Sequence, residues 1–388
     1  MAELFKNMWN ERFFDGFTKA LKEVMDDFDE ALFVSQIMDK EWGNKELIQR
    51  GIHISATLRN FLPPDYKDAI AKIRDMIRLV KKTPYWEEIE NNSLKGMYGL
   101  SLEYGFLSYF VGEYGLDDFD TSVSAIEDVT QFVSCEGAVR PFIIRYPVEM
   151  MKQMLTWSFH PNEWVRRLSS EGCRPRLPWH ISLPKLKENP APILPILENL
   201  KDDPSQFVRL SVANNLNDIS KDNPEIVIAL VRQWQGASKN TDWILKHGCR
   251  TLLKSGDAEV MELFGFGSVI KNIQVEDFQI LTPKVEIGKS LEFSFRLLNN
   301  NKKKTSIRLE YGIYYQKANG TLSKKVHKIS EKEYAEQSIT PITRKHSFQV
   351  VTTRVLYPGL HQVAVIINGN ELEKHDFQLC IAAGQLRE

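Results

Sequence analysis

The chain has 388 residues, of which 43% are hydrophobic and 11% aromatic, enough for two or three domains with their own cores. Its net charge of −1 hides an asymmetry: residues 271–388 hold 18 Lys and Arg against 12 Asp and Glu, a charge of +6, which leaves −7 for residues 1–270. No apolar run reaches the ~18 residues of a membrane span, and no signal-peptide pattern opens the chain, so a cytoplasmic protein is expected. The four cysteines are scattered without metal-ligand spacing, which predicts no structural metal.

The first 270 residues repeat apolar side chains at the 3.6-residue period of helices. Apolar residues follow this period from Phe17 to Phe28 and again over residues 48–61, where Pro63 stops the pattern. Residues 66–80 predict a third amphipathic helix. Its apolar face contains Ile70, Ile73, Met76, Ile77 and Val80. Such faces predict helix-on-helix packing and do not indicate a function.

A short motif repeats further along the chain. Trp164 aligns with Phe207 in a shared six-residue pattern at an offset of 43 residues, and Phe207 aligns with Trp243 at an offset of 36. HEAT-type paired helices have repeats of about this length and stack into a curved solenoid. The aromatics themselves are typical of helix starts packed into a core. We therefore predict an all-α HEAT-like repeat solenoid over residues 1–268.

The segment from His160 to Trp179 combines four arginines with two carboxylates and two tryptophans on a short helix and the loop after it. Arginines in such density are typical of a phosphate-binding surface. A carboxylate kept inside that surface is electrostatically unfavourable unless it takes part in chemistry. The side chains that we expect on this polyanion-binding surface are Arg140, Trp164, Arg166, Arg167, Arg174, Arg176, Arg209 and Lys246.

After residue 267 the apolar period changes to two, which is typical of strands. The alternating segments are residues 285–297, 306–315, 347–353 and 361–367, separated by Asn-, Gly- and Pro-containing turns. Six or seven short antiparallel strands predict an all-β immunoglobulin-like sandwich over residues 271–388. The cluster Lys302, Lys303 and Lys304 is either a solvated turn or a phosphate clamp.

Three segments, residues 134–142, 164–179 and 207–219, resemble the AlkC branch of the DNA-alkylation-repair glycosylases. They contain Cys-Glu-Gly-Ala-Val-Arg-Pro-Phe, Gly-Cys-Arg-Pro-Arg-Leu-Pro-Trp and Ala-Asn-Asn-Leu-Asn-Asp. Members are HEAT-like proteins that remove alkylated bases from DNA, and some carry a C-terminal immunoglobulin-like domain. The resemblance implies that the lesion site is lined by Glu136, Glu171, Trp179 and Asp218. One departure is Gly137, since members usually have a bulky residue there.

The resemblance implies a monofunctional glycosylase that hydrolyses the N-glycosidic bond of cationic N-alkylated bases, such as 3-methyladenine, in double-stranded DNA without full base flipping. Bond cleavage leaves positive charge on the sugar, which nearby carboxylates stabilise, and hydrolysis by water needs no metal or redox cofactor. Glu136 and Asp218 fit this role best, Glu171 acts likewise or positions its neighbours, and Trp179 offers its ring face to the cation. A monomer is expected, because no heptad or unmatched strand pattern requires a mate.

Two other functions fit parts of the pattern. A non-catalytic HEAT-repeat adaptor would bind a protein along its inner helices, and a DNA-backbone-binding protein would use the arginines alone. On spacing alone, Glu136 and Asp218 are typical of helix caps and Glu171 of a surface pair with Arg167. The histidines that flank the arginine-rich segment receive no role in this interpretation.

Overall fold

The computed structural model describes residues 5–83, 102–267, 272–351 and 354–381. Within these ranges sixteen α-helices come first and eight β-strands follow, which confirms a helical region followed by an all-β one. The boundary expected between residues 268 and 271 lies outside the described residues. By compactness, the chain divides into two units: residues 1–227 with 234–248, and residues 228–233 with 249–388.

The helices, numbered in chain order over the described residues, are α1 (Glu11–Val24), α2 (Glu30–Ile37), α3 (Leu47–Phe61), α4 (Tyr66–Val80), α5 (Phe106–Tyr114), α6 (Phe119–Thr130), α7 (Val139–Arg145), α8 (Pro147–Trp157), α9 (Glu163–Glu171), α10 (Pro184–Glu188), α11 (Leu194–Leu200), α12 (Gln206–Ile219), α13 (Pro224–Trp234), α14 (Lys239–Gly248), α15 (Arg250–Ser255) and α16 (Ala258–Leu263). None of these helices is both long and apolar enough to cross a membrane.

Local signals set the ends of several helices as predicted. The Asp65 carboxylate caps α4 by accepting from the Asp68 amide at 3.1 Å, and α4 spans residues 66–80 with its predicted apolar face buried. α3 ends at Phe61, before Pro63, whose ring disfavours a helical residue in front of it. These two predictions are confirmed because they depend on contacts between residues close in sequence.

The first predicted helix is shorter than its apolar pattern. α1 ends at Val24, and Met25 has an extended backbone with φ −138° and ψ 108°. Phe28 therefore lies outside the helix, although it is buried and its ring centroid is 5.3 Å from that of Phe33. The apolar period continued past the helix end because the following segment also packs into the core.

The repeated motif occupies equivalent places at the starts of α9 and α12. α9 packs against α12, and α12 packs against α14. Trp164 and Phe207 lie in the first turns of α9 and α12, with ring centroids 4.6 Å apart. Arg166 and Arg209 each donate from Nη1 to the carbonyls six and five residues before them, at 2.7 to 2.9 Å. The same local structure therefore recurs after 43 residues.

The strands are β1 (Ile273–Ile280), β2 (Lys284–Glu286), β3 (Ser290–Asn299), β4 (Thr305–Gln316), β5 (Leu322–Tyr334), β6 (Ser338–Ser347), β7 (Gly359–Ile367) and β8 (Asn370–Cys380). They form a three-stranded sheet in the order β1-β3-β6 and a five-stranded sheet in the order β2-β8-β7-β4-β5. Both sheets contribute to one buried cluster, which includes Phe293, Phe295, Ile313 and Val365. The immunoglobulin-like sandwich is thus confirmed.

Turn chemistry explains where the strand predictions succeed. Residues 306–315 and 361–367 fall inside β4 and β7. The turn predicted at residues 368–370 joins β7 to β8, where Asn368 and Gly369 both have positive φ, 45° and 79°, as a two-residue hairpin turn requires.

Other strand predictions are wrong in part. Residues 285–297 form two strands rather than one, because Gly288 turns the chain at φ +96°. β2 then pairs with β8 in parallel, so the sandwich is not wholly antiparallel. The strand expected over residues 347–353 is absent from residues 348–351, since β6 ends at Ser347, and residues 352–353 lie outside the described part.

Candidate functional site

Glu136 lies in the loop between α6 and α7, and its carboxylate is held by two donors. The Ser134 hydroxyl and the Arg167 guanidinium both donate to Oε2 of Glu136, and Arg167 also donates to Ser134 Oγ at 2.8 Å. Burial opposes ionisation of Glu136, but the charge of Arg167 and these hydrogen bonds hold the pKa of the carboxyl below its usual value. The group is therefore an anion at neutral pH.

An alternating series of charges extends from this carboxylate into the helical unit. We call it the charge network, formed by Glu136, Arg167, Glu171, Arg174, Asp218 and Lys221. Arg167 Nη2 lies 3.6 Å from Glu171 Oε1, and Arg174 Nη1 donates to the same oxygen at 2.6 Å. Arg174 Nε then donates to Asp218 Oδ2 at 2.9 Å, and Lys221 Nζ donates to Asp218 Oδ1 at 3.1 Å. The structure thus brings the three predicted carboxylates together.

The three carboxylates differ in depth. The Glu136 side chain keeps 22% of its surface exposed, whereas Glu171 keeps 7% and Asp218 only 2%. Each deep carboxylate is also matched by two cations of the charge network. Glu136 is therefore the member placed to meet another molecule without rearrangement.

Glu136 opens onto a pocket of about 170 Å³, which we call the Glu136 pocket. Its lining comprises Met8, Trp9, Leu47, Ile48, Leu102, Gly105, Ser108, Tyr109, Val133, Ser134, Glu136, Arg167, Trp179 and His180. Most of this wall is apolar or aromatic, and the charged groups are Glu136 and Arg167. A pocket of this kind combines apolar burial with one anchored anion.

Trp179 stands at the edge of the Glu136 pocket on a strained backbone. Its φ of +66° lies in the left-handed region, which costs a non-glycine residue on the order of 1–3 kcal/mol. The side chain is nevertheless 72% exposed, so packing in the core does not explain the strain. Strain at an exposed aromatic ring beside an anion indicates a functional position.

Arg140 holds the loop that carries Trp179. Its guanidinium is buried and donates to the carbonyls of Gly172 at 3.0 Å, Arg174 at 2.8 Å and Ile181 at 2.5 Å. Burial lowers the pKa of Arg140 to about 10, so it remains a cation at neutral pH. Arg140 clamps both ends of the loop and is too deep to meet a phosphate, as is Arg174 within the charge network.

The other arginines expected at phosphates also have protein partners. Arg166 donates from Nε and Nη2 to the Asp203 carboxylate at 2.6 and 3.1 Å, and Arg176 donates from Nε to Asp222 at 2.9 Å. Arg176 remains the more accessible of the two, with 39% of its side chain exposed against 15% for Arg166. Lys246, on α14, is also exposed.

Trp164 and Arg167 both contact the ring of Phe207. The Arg167 guanidinium carbon lies 4.6 Å from the Phe207 ring centroid, and the Trp164 ring contacts the same phenylalanine. A cation–π contact of this kind helps fix the guanidinium. Trp164 thus supports Arg167 and, through it, Glu136.

His180, which the sequence interpretation left without a role, lies in the wall of the Glu136 pocket. Burial lowers its pKa, although Glu136 opposes that shift. The imidazole is therefore neutral at pH 7. The signal available in the sequence was its position directly after Trp179, which the resemblance places at the lesion site.

Outside the helical unit, Lys302, Lys303 and Lys304 are exposed in the turn between β3 and β4. Among the described residues, none of the three lysines forms an ion pair, in contrast to Lys324, which pairs with Glu371. Across the ranges that the structure covers, no group of three His, Cys, Asp or Glu side chains is arranged to hold a metal ion.

Comparisons with known proteins agree with this geometry. The family described as "DNA alkylation repair enzyme" matches residues 116–252, and the family described as "Uncharacterised protein YhaZ, C-terminal Ig-like domain" matches residues 274–381. YhaZ of Bacillus subtilis (strain 168) is 39% identical over 380 residues, which cover 98% of this chain and 100% of that protein.

A solved structure is similar over nearly the whole chain. The Pseudomonas fluorescens alkylpurine DNA glycosylase AlkC, bound to DNA containing an abasic site analog, superposes with a TM-score of 0.87 at 30% identity. The match covers 97% of this chain and 99% of that one, so it spans both the helical region and the sandwich. The chain belongs to the DNA alkylation repair family, in the AlkC branch that carries a C-terminal immunoglobulin-like domain.

Proposed function

We propose that the chain is a monofunctional DNA glycosylase that hydrolyses the N-glycosidic bond of cationic N-alkylated bases, such as 3-methyladenine, in double-stranded DNA. The observation that carries the proposal is an ionised carboxylate, Glu136, at the open edge of a pocket beside the exposed ring of Trp179. Membership of the AlkC branch supports it, because the related Pseudomonas protein is an alkylpurine DNA glycosylase.

The chemistry requires an anion close to the sugar. As the alkylated base leaves, its positive charge passes to an oxocarbenium-like deoxyribose, and a fixed carboxylate stabilises that charge and orients the attacking water. In our proposal Glu136 faces the deoxyribose directly, while Glu171 and Asp218 act from deeper in the charge network by holding Arg167 and Arg174 in place. Arg167 sets the orientation of Glu136 and keeps it ionised before DNA binds.

We propose that the lesion is cleaved without full base flipping. In another protein, an engineered cavity of roughly 150 Å³ holds one benzene molecule. By that comparison, the Glu136 pocket, with about 170 Å³, is too small for a whole purine nucleotide. Trp179, being 72% exposed, is placed to lie against the cationic base or sugar at the DNA surface, within ~6 Å of its ring centre.

The DNA backbone is then held by cations around the pocket and on the sandwich. We propose that Arg176, Arg209 and Lys246 contact phosphates in the helical unit, and that residues 271–388 form an accessory DNA-binding domain through Lys302–Lys304. Each lost phosphate contact lowers the slope of log Kd against log salt concentration by about 0.9. To test whether the sandwich contributes to DNA binding, all three lysines are replaced with alanine and the salt dependence of Kd is compared with that of wild type.

The decisive experiment measures free base released from a duplex that contains one methylated base. Wild type is expected to release the base, Glu136→Gln to lose release while still binding the duplex, and Asp218→Asn to show a smaller loss. Glu163→Gln is the matched control, because Glu163 is an exposed carboxylate on α9 outside the charge network. Binding without release by wild type would support a DNA-backbone-binding protein instead, and no binding at all would support a protein-binding adaptor.

We propose in addition that the protein acts as a monomer in the cytoplasm, without a cofactor. One copy supplies every residue assigned to the Glu136 pocket and the charge network, so the chemistry requires no second subunit. Light scattering at micromolar concentration, with and without duplex, should give the mass of one chain and of a one-to-one complex.

A further inference from the structure

The space beside Glu136 is filled by a histidine because residue 137 has no side chain. A Cβ atom added to Gly137 would lie 2.5 Å from His180 Cε1 and 2.7 Å from His180 Nδ1. The backbone of Gly137 does not require glycine, since its φ is outside the left-handed region. Lack of bulk, not conformational freedom, is therefore what glycine contributes at this position.

Packing alone holds the imidazole of His180. Within the described residues, no hydrogen bond or ion pair joins either ring nitrogen to another group. The preceding residue, Trp179, has the left-handed backbone that turns its own ring outward while His180 lies in the pocket wall. The position of the imidazole should therefore change whenever the size of residue 137 or residue 180 changes.

The pocket that this imidazole borders suits an alkyl group. Met8, Leu47, Ile48 and Val133 give it an apolar wall, on which a methyl or ethyl substituent is buried from water. Glu136 lies at the same pocket, so a substituent on a base whose sugar faces Glu136 is within reach of it. The free volume next to His180 then limits the size of the substituent.

We propose that Gly137 and His180 form a size gate that sets which alkyl groups are accepted on the lesion base, an inference that rests on the proposed function. The imidazole occupies the volume that a side chain at residue 137 would otherwise fill. A smaller residue 180 widens the pocket. A larger residue 137 pushes the imidazole towards the pocket and narrows it.

The test compares kcat/KM for an N-ethylated and an N-methylated base at the same ring position in the same duplex. His180→Ala should raise the ethyl-to-methyl ratio roughly tenfold, the low end for one methylene in an apolar pocket. Gly137→Ala should lower the ratio by a similar factor, and the double variant should return it towards wild type. His180→Gln, which nearly preserves side-chain volume, should leave the ratio close to wild type.

Ile181→Ala is the matched control, because Ile181 is exposed on the same loop and does not line the pocket. Melting temperatures identify any variant that fails to fold, and a crystal structure of Gly137→Ala should show the ring displaced. A ratio that stays within about twofold across active variants, or an unmoved ring, would overturn the gate. A wild type that binds the duplex but releases neither base overturns the proposed function, and the gate with it.

Discussion

Two buried arginines, one in the helical unit and one in the sandwich, each bridge two carboxylates. Arg174 pairs with Glu171 at 2.6 Å and with Asp218 at 2.9 Å. Arg308 pairs with Glu310 at 2.7 Å and with Glu331 at 2.6 Å. The arginine side chains are 9% and 6% exposed, so burial and geometry hardly distinguish the two groups.

Their surroundings differ. The Arg174 group continues through Arg167 to Glu136, at a pocket wall beside a strained, exposed tryptophan. The Arg308 group lies on β4 and β5 and includes Lys328, whose Nζ is 3.8 Å from Glu331. None of these four side chains lines the Glu136 pocket. Because buried ion pairs are weak indicators of either stability or function, the connection to a pocket is what marks a candidate site.

The largest effect is expected from Arg308→Met. Two buried glutamates would lose their shared cation, which costs about 3–5 kcal/mol when one partner of a buried pair is removed. Denaturant unfolding followed by a signal from the sandwich measures the loss. Replacing Glu310 and Glu331 with apolar residues in the same variant should recover most of the lost free energy of unfolding. If the loss persists, the unpaired buried carboxylates are not its cause.

Glu136→Gln should cause a large loss of activity and only a small loss of stability. Removing one preorganised charge at a reacting centre lowers kcat by about 10²–10³. The free energy of unfolding should change much less than in Arg308→Met, since Glu136 remains partly hydrated. Base release and unfolding are measured on the same preparation. A large loss of stability with unchanged kcat would place Glu136 with the structural carboxylates.

The sandwich should also lose stability in mild acid, through its histidines. Burial, assisted by nearby Lys325 and Arg354, lowers the pKa of His327 to about 4, and burial beside His327 lowers the pKa of His346 to about 3. The usual pKa of both imidazoles is 6.5. The neutral imidazoles therefore contribute their full share of the free energy of unfolding above pH 6.5, and this contribution decreases as the pH falls towards 4 and then 3.

Melting of the sandwich at pH 7.5, 6.5 and 5.5 checks this dependence, in a window where most carboxyl groups stay ionised. The ring of His346 receives or donates hydrogen bonds at both nitrogens, with the hydroxyls of Tyr311 and Tyr315 at 3.0 and 2.7 Å. His346→Gln should therefore reduce the pH dependence while lowering stability at every pH. An unchanged melting temperature of the wild type between pH 7.5 and 5.5 would contradict the prediction.

The smallest expected change in stability belongs to Trp179→Gly. Glycine adopts the positive φ of this position without strain, so the free energy of unfolding should stay equal or rise by up to ~1 kcal/mol. Activity should fall because the exposed ring is lost. Trp179→Ala is the control, since it removes the ring and keeps the strain. A Trp179→Gly variant that is less stable than Trp179→Ala would show that the backbone at residue 179 is not strained, because glycine would then add only its larger loss of backbone entropy on folding.

The parts of the fold that could be predicted depend on neighbours in sequence. The face of α4 and the Asn368-Gly369 turn follow from local spacing and turn chemistry. β5 and β6 were not among the predicted strand segments. Both are edge strands with a single buried residue each, so their sequences carry little apolar period.

For the site, resemblance supplied Glu136, Glu171, Trp179 and Asp218 as candidates, and their catalytic roles stay predictions. The structure alone showed which of them reach a pocket. It also revealed His180, whose place depends on Gly137, a residue 43 positions away in sequence. No local pattern relates those two residues.

The amino-acid sequence by itself determined the helical and strand regions, the repeated helix start and the density of charge before Trp179, because these follow from periodicity and composition. Only the tertiary structure decided which charges meet. Arg174 and Arg176 stand two residues apart in one motif, yet Arg174 is buried on Asp218 and Arg176 stays partly exposed on Asp222. Asp218 and Asp222 each lie more than 40 residues from the arginine that they bind. The packing of α9 and the loop after it against α12 therefore determines which arginine meets which aspartate.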